Sequence, residues 1–184
     1  MRVGDNPKRS SIGLHGWQAG FSMIELMVTL AVLAILIAMA VPSFTSIINN
    51  NRLAAQANEV ITSLQVARTE AIRRNERVAV CRSTDGATCS AAAGPWDTWI
   101  TLIVRNNEVL RVNTARAPVL VNSQDLAVTY AADGLAYEAT GMLAANAFSV
   151  CIPTDQPATN RRWVNLNSGS RIETVTDGNA GACP

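Results

Sequence analysis

Between Phe21 and Phe44 the chain is apolar almost throughout: "FSMIELMVTLAVLAILIAMAVPSF" is interrupted by little more than Ser22, Glu25 and Thr29 before the Pro42-Ser43 pair. About 20 such residues are enough for a helix to span a bilayer core. Pro42 removes one backbone donor and clashes with the preceding turn, so a kink is expected there. Beyond it the pattern becomes one-sided. Leu53, Ala57, Val60, Ile61, Leu64, Ala67, Ala71 and Ile72 recur at three- and four-residue steps, which is a single apolar stripe on a helix. Asn58, Thr62, Gln65 and Thr69 fall elsewhere on the wheel, and Arg52, Arg68, Arg73 and Arg74 read as its solvated face. Glu70 stands three and four residues before Arg73 and Arg74, a spacing that favours pairing. The two patterns together predict one long helix over residues 21–76, with 21–44 in a membrane and the remainder against a soluble head.

The period changes after residue 76. "RVAVC" is strand-like and "STDGATCS" is rich in turn formers. "WITLIV", Asn106-Asn107 and "EVLRV" form a hairpin pattern, and Asp133-Gly134 separates two further short runs. "AFSVCI" and "RRWVNLNSGSRIETV" complete a strand-rich tail. A helix followed only by short strands is an α+β arrangement, with a β-rich head over residues 77–184.

Glu25 does not suit a plain membrane span. A lone carboxylate in lipid costs on the order of a few kcal/mol unless something compensates it. Three readings of the run compete. As a transmembrane helix its length fits. As a secretory signal peptide its apolar core is too long, and no A-x-A cleavage site follows. The third reading places a cut before the run, at "QAG|FSMIE", so that residues 1–20 are a leader and Phe21 becomes the N-terminus. The new amine would stand four residues from Glu25, and a carboxylate at that depth could pair with such an amine on a neighbouring copy. Only this reading accounts for the glutamate.

Charge and cysteine content narrow the chemistry. The net charge is +1, so no global field draws the chain to nucleic acid or anionic lipid. Residues 1–20 hold Arg2, Lys8 and Arg9 against Asp5, and the remainder carries 12 arginines against 13 acids. The single histidine, His15, lies in the leader, which excludes Ser-His-Asp catalysis and His-ligated zinc from the processed chain. No group of acids, histidines and cysteines has the spacing of a metal or catalytic site, and no cofactor is implied. Cys81, Cys89, Cys151 and Cys183 include no C-x-x-C. Either they are buried thiols or, in an oxidising compartment, two disulfides. Of three pairings, Cys81–Cys89 across the "STDGAT" turn with Cys151–Cys183 tying down the tail is favoured. Closing the longer loop stabilises by roughly 3–4 kcal/mol in the chain-entropy description.

"GFSMIELMVTLAVLAIL" closely resembles the type IV prepilin signature, with Gly20 before the cut, Phe21 after it and Glu25 fifth in the processed chain. Pro42 also falls where many such proteins place a proline. The resemblance implies cleavage and N-methylation of Phe21 by prepilin peptidase, an aspartic enzyme of the inner membrane. It further implies residence in that membrane with the head in the periplasm, then extraction into a cell-surface filament whose core is a bundle of sister helices.

The head, through "LQVARTEAIRRNERVAVCRSTDGATCS", "PWDTWITLIV" and "FSVCIPTD…RRWVNLNSGSRIE…C", resembles minor pilins of the FimT/FimU kind, grouped with the GspH pseudopilins. This implies a pilin fold, with the long N-terminal helix packed on antiparallel β-sheets. It also implies a minor subunit that helps initiate the pilus and sits at or near its tip. The partners so implied are other minor pilins, the major pilin and a tip adhesin, in support of adhesion and twitching motility. Two alternatives remain: a DNA-binding minor pilin for natural transformation, and a GspH-like pseudopilin of type II secretion. Some relatives bind DNA through a G-R-x-R motif in a C-terminal loop. Here "SGSRIET" puts Ser170 after Gly169 and Glu173 two residues beyond Arg171, so no register keeps both arginines. Arg161 and Arg162 could offer substitute charge, although two arginines before a strand are more often a solvated surface. Trp96, Trp99 and Trp163 could stack single-stranded bases but are more often packing in a strand-rich head.

Overall fold

The computed structural model describes residues 20–138, 141–178 and 180–183, apart from the side chain of Pro42. Residues 1–19, which the sequence reading assigns to a leader and which include Arg2, Lys8, Arg9 and His15, lie outside the described set. The chain divides into two compact units, Met1–Met39 and Ala40–Pro184.

Helix α1 spans Met23–Arg74. It stops because Asn75 adopts a left-handed φ of 55°. The Asn75 N–H then bonds the Ile72 carbonyl and the Glu76 N–H bonds the Ala71 carbonyl, a Schellman closure with asparagine in the usual glycine position. The termini fall two residues inside the expected 21–76. Position 42, where a kink is expected, lies within α1.

Among the described residues of the second unit α1 is followed by nine strands: β1 (Val78–Ser83), β2 (Thr98–Ile103), β3 (Glu108–Thr114), β4 (Leu120–Ser123), β5 (Ala127–Tyr130), β6 (Ala136–Tyr137), β7 (Asn146–Cys151), β8 (Arg161–Asn167) and β9 (Arg171–Asp177). They form two sheets, a five-stranded one in the order β3-β2-β1-β5-β6 and a four-stranded one in the order β4-β7-β8-β9. Every neighbouring pair is antiparallel.

The core follows the helix stripe. Leu53, Ala57, Val60, Leu64, Ala67 and Ala71 are buried against residues of both sheets, among them Val80, Trp99, Tyr130, Phe148 and Val164. Ile61 is only partly buried. Ile72 departs from the expected stripe: it is 53% exposed, at the edge where α1 meets the β5–β6 turn. A Cβ at Gly134 in that turn would stand 2.9 Å from the Ile72 Cδ1, and the residue's positive φ also suits glycine. The five-stranded sheet buries a second, smaller cluster of Ala79, Cys81, Ile100 and Leu102.

Polar residues also enter the interior, where the stripe gave no sign of them. Ser63 is fully buried on α1. Its hydroxyl accepts the Trp99 indole N–H at 3.0 Å and donates within reach of the Glu59 carbonyl, 2.9 Å, and the Asn113 Oδ1, 3.3 Å. Helix and sheet thus meet through a satisfied polar cluster inside an apolar core, as buried polar groups require.

Candidate processing and assembly site

Gly20 and Phe21 lie ahead of α1 without regular structure. The Ser22 hydroxyl accepts the Ile24 N–H at 3.2 Å, and its carbonyl accepts the Leu26 N–H at 3.1 Å. Ser22 is therefore the N-cap of the helix. Ser22-Met23-Ile24-Glu25 also has the S-x-x-E order of a capping box, which puts Glu25 at the third helical position. A carboxylate in the first turn interacts favourably with the helix dipole. The order of these four letters carries the signal for such a local role, which the reading of Glu25 as an assembly contact does not include.

The Gly20–Phe21 peptide bond stands two residues ahead of that cap. Phe21 is 78% exposed, and among the described residues no atom lies within 4 Å of where a Gly20 Cβ would be. Uncovered, non-helical backbone of this kind is what a peptidase can engage. From Met23 to Met39 every large apolar side chain is exposed, from 51% at Leu33 to 84% at Met23. An 18-residue window of the helix has a mean hydropathy of 2.7 and is 0% buried. The segment is long and apolar enough to cross a membrane, and nothing described in the chain covers it.

The arginines considered as nucleic-acid contacts are not brought together as one cationic surface. Arg161 is 12% exposed, pairs with Asp177 and lies with its guanidinium carbon 4.9 Å from the Trp163 ring centroid. Its hydrogen bond, with a further one from the Gly178 N–H, holds the Asp177 carboxyl below the usual range. Arg162 donates to the Asn50 Oδ1 at 2.8 Å. Arg171, 76% exposed, lies 3.6 Å from Glu173, whose carboxylate also accepts the Asn167 amide. Ser170 is committed inward. It is buried, its hydroxyl accepts the Ala136 N–H at 2.7 Å, and its carbonyl accepts from Arg68 at 3.4 Å. Trp96 and Trp99 are buried in the core, Trp96 edge-on to Phe148 at 5.0 Å. They offer no stacking platform, and among the described tryptophans Trp163 is the one partly exposed.

Disulfides join Cys81 to Cys89 and Cys151 to Cys183. Within the first loop Asp85 accepts the backbone N–H groups of Thr88 and Ala87 and the hydroxyls of Thr88 and Ser83. These bonds hold its carboxyl far below the ordinary value. Among the described residues no cluster of His, Cys, Asp or Glu could hold a metal ion.

Residues 18–41 match the prokaryotic N-terminal methylation motif, and residues 56–170 match the family described as type II transport protein GspH. The fold is similar to the type IV minor pilin FimU of Pseudomonas aeruginosa strain PAO1. One crystal form aligns at 17% identity with a TM-score of 0.53, over 68% of this chain and 90% of that one. A second aligns at 16% and 0.50, over 66% and 91%. The minor pseudopilin EpsH of the Vibrio cholerae type 2 secretion system aligns at 10% identity with a TM-score of 0.48, over 68% and 97%. No curated protein matches the sequence. With more than half of its length under the GspH family model, behind a methylation motif, this chain belongs to the GspH family of type IV pilin-like proteins.

Proposed function

We propose that the protein is a minor type IV pilin, cut between Gly20 and Phe21, methylated on Phe21, and inserted in the inner membrane with its head in the periplasm. It then enters a pilus, where it helps initiate assembly and sits at or near the tip, in support of adhesion and twitching motility. The observation that carries this reading is the first half of α1. Its apolar side chains from Met23 to Met39 are exposed among the described residues, so lipid first and sister helices afterwards are the environments that suit them. Prepilin peptidase, other minor pilins and the major pilin are the partners this reading requires, and a tip adhesin is a further one.

Intact mass of the protein recovered from membranes and from sheared pili tests it. The expected mass lacks residues 1–20 and carries one added methyl. A mature N-terminus beyond Pro42 would mean an ordinary signal peptide and would end the proposal.

The match to the GspH family favours one second reading, a minor pseudopilin of a type II secretion filament. Neighbouring genes for minor pilins and a large adhesin, or for a secretion system, discriminate the two. A DNA-receptor role has less support, because Arg171 is beside an acid and Ser170 faces inward.

A further inference from the structure

Twelve arginines lie beyond Gly20, and most have a partner. Arg73 and Arg74 pair with Glu70, Arg105 with Glu76, Arg161 with Asp177 and Arg171 with Glu173. Arg68 and Arg82 donate to backbone carbonyls, and Arg162 donates to Asn50. Among the described residues, the side chains of Arg52, Arg77, Arg111 and Arg116 make no hydrogen bond or ion pair. Three of these four, Arg52, Arg111 and Arg116, line a single open groove of about 600 Å³. One wall of the groove is α1, and the other is β3 with the segment that follows it.

An acid stands in the same groove without relieving this charge. The Glu59 carboxylate accepts the Asn113 amide at 2.8 Å and the Gln56 amide at 3.1 Å. Gln56 in turn accepts the Arg116 backbone N–H at 3.0 Å. Glu59 is therefore satisfied by neutral amides, and the three guanidinium groups face solvent unpaired. Like charges gathered on one concave surface repel one another, and their field is stronger there than on a flat one. A guanidinium is the side chain best shaped to take a carboxylate through two parallel hydrogen bonds.

We propose that this groove docks an acidic segment of a neighbouring pilin-like subunit, with Arg52, Arg111 and Arg116 receiving its carboxylates. A protein segment suits the site better than a nucleic-acid backbone. Glu59 would repel a continuous row of phosphates, whereas a protein can place a neutral side chain opposite it. Ala55 and Ala117 between the arginines also offer apolar contact that a phosphate backbone does not use. The proposal rests on the filament-subunit reading above.

The test has two arms, both on the full-length chain. In detergent solution, fluorescence anisotropy follows a labelled peptide of alternating Glu and Ala, its Gln-Ala counterpart and a duplex DNA oligonucleotide. The Glu peptide should bind, the Gln peptide should not, and R52Q/R111Q/R116Q should weaken binding by about tenfold or more. The matched variant R73Q/R77Q/R105Q removes the same charge outside the groove and should bind nearly as the parent does. Equal binding by both variants overturns the proposal. Tighter binding of DNA, lost in the groove variant, would assign the site to nucleic acid instead.

In cells, the groove variant should be processed and form both disulfides, yet fall about tenfold in sheared filaments relative to the matched variant, as expected when rim charges steer association. Parent protein absent from filaments would refute the filament-subunit reading itself. Parent and groove variant present in equal amounts would refute the groove alone.

Discussion

Tyr130 shows what a single buried group does to stability. It is fully buried, its hydroxyl finds no hydrogen-bond partner among the described residues, and burial pushes its pKa up to about 12 against a smaller opposing effect of Arg68. A phenol whose folded pKa is raised stabilises the fold fully below its unfolded value near 10. That contribution is lost as pH rises from about 10 towards 12. Tyr130→Phe should therefore leave stability at pH 7 unchanged or slightly improved, since it removes an unsatisfied polar atom. It should also flatten the loss of stability above about pH 10. Parallel denaturant titrations at pH 7 and pH 10.5 check both; a large loss at pH 7 would mean the hydroxyl has a partner. At this scale the sequence was only partly readable. "SGSRIET" disclosed that the paired arginines were missing, but not that Ser170 turns inward to hold Ala136. That contact joins residues 34 apart, and no local pattern encodes it.

Among the elements, α1 was the most legible. Six of the eight stripe residues are buried to 2% exposure or less, because a helix facing one core repeats its burial every three or four positions. The exceptions have local causes. Ile61 and Ile72 lie at the margins of the contact, and Ser63 is buried because the Trp99 indole needs an acceptor. Ser63→Ala should remove that acceptor and cost about 1–3 kcal/mol, the typical penalty for a buried donor left unpaired. Trp99→Phe, which leaves a cavity of its own, should cost less in the Ser63→Ala background than in the parent, because there it also removes the orphaned N–H. Chemical denaturation of the two single variants and the double variant reads this directly, and a Ser63→Ala chain as stable as the parent would mean a water or a shifted side chain takes the bond. Strand positions were recoverable from turn formers and alternation, as at the Asn106-Asn107 hairpin between β2 and β3. Their division into sheets was not. β4 pairs with β7 and β1 with β5, and such long-range partnerships leave no trace in the spacing of neighbouring residues.

For the whole molecule, the decisive residue is Glu25, which now has two candidate duties. It belongs to the first turn of α1, where any good capping residue would serve. In the proposed filament it would also pair with the amine of an adjacent subunit. Glu25→Gln keeps the capping order, since glutamine also completes the box, but it carries no charge. Both Glu25→Gln and Glu25→Val should insert in membranes at least as well as the parent, yet be depleted in sheared pili. If Glu25→Gln enters pili normally and only Glu25→Val fails, the side chain at position 25 acts by capping the helix, no charge is needed there, and the charge-pairing account is wrong.

The arginines that line the groove and brace the ion pairs have no lysine among them, and that fact bears on labelling. Lys8, ahead of the proposed cut, is the one lysine in the sequence. A dye attached to that side-chain amine would leave with the leader, so its disappearance would report processing in real time. After the cut, acylating reagents would find a single target, the backbone nitrogen of Phe21. A tag could then be placed at one known atom of the chain without engineering a new residue.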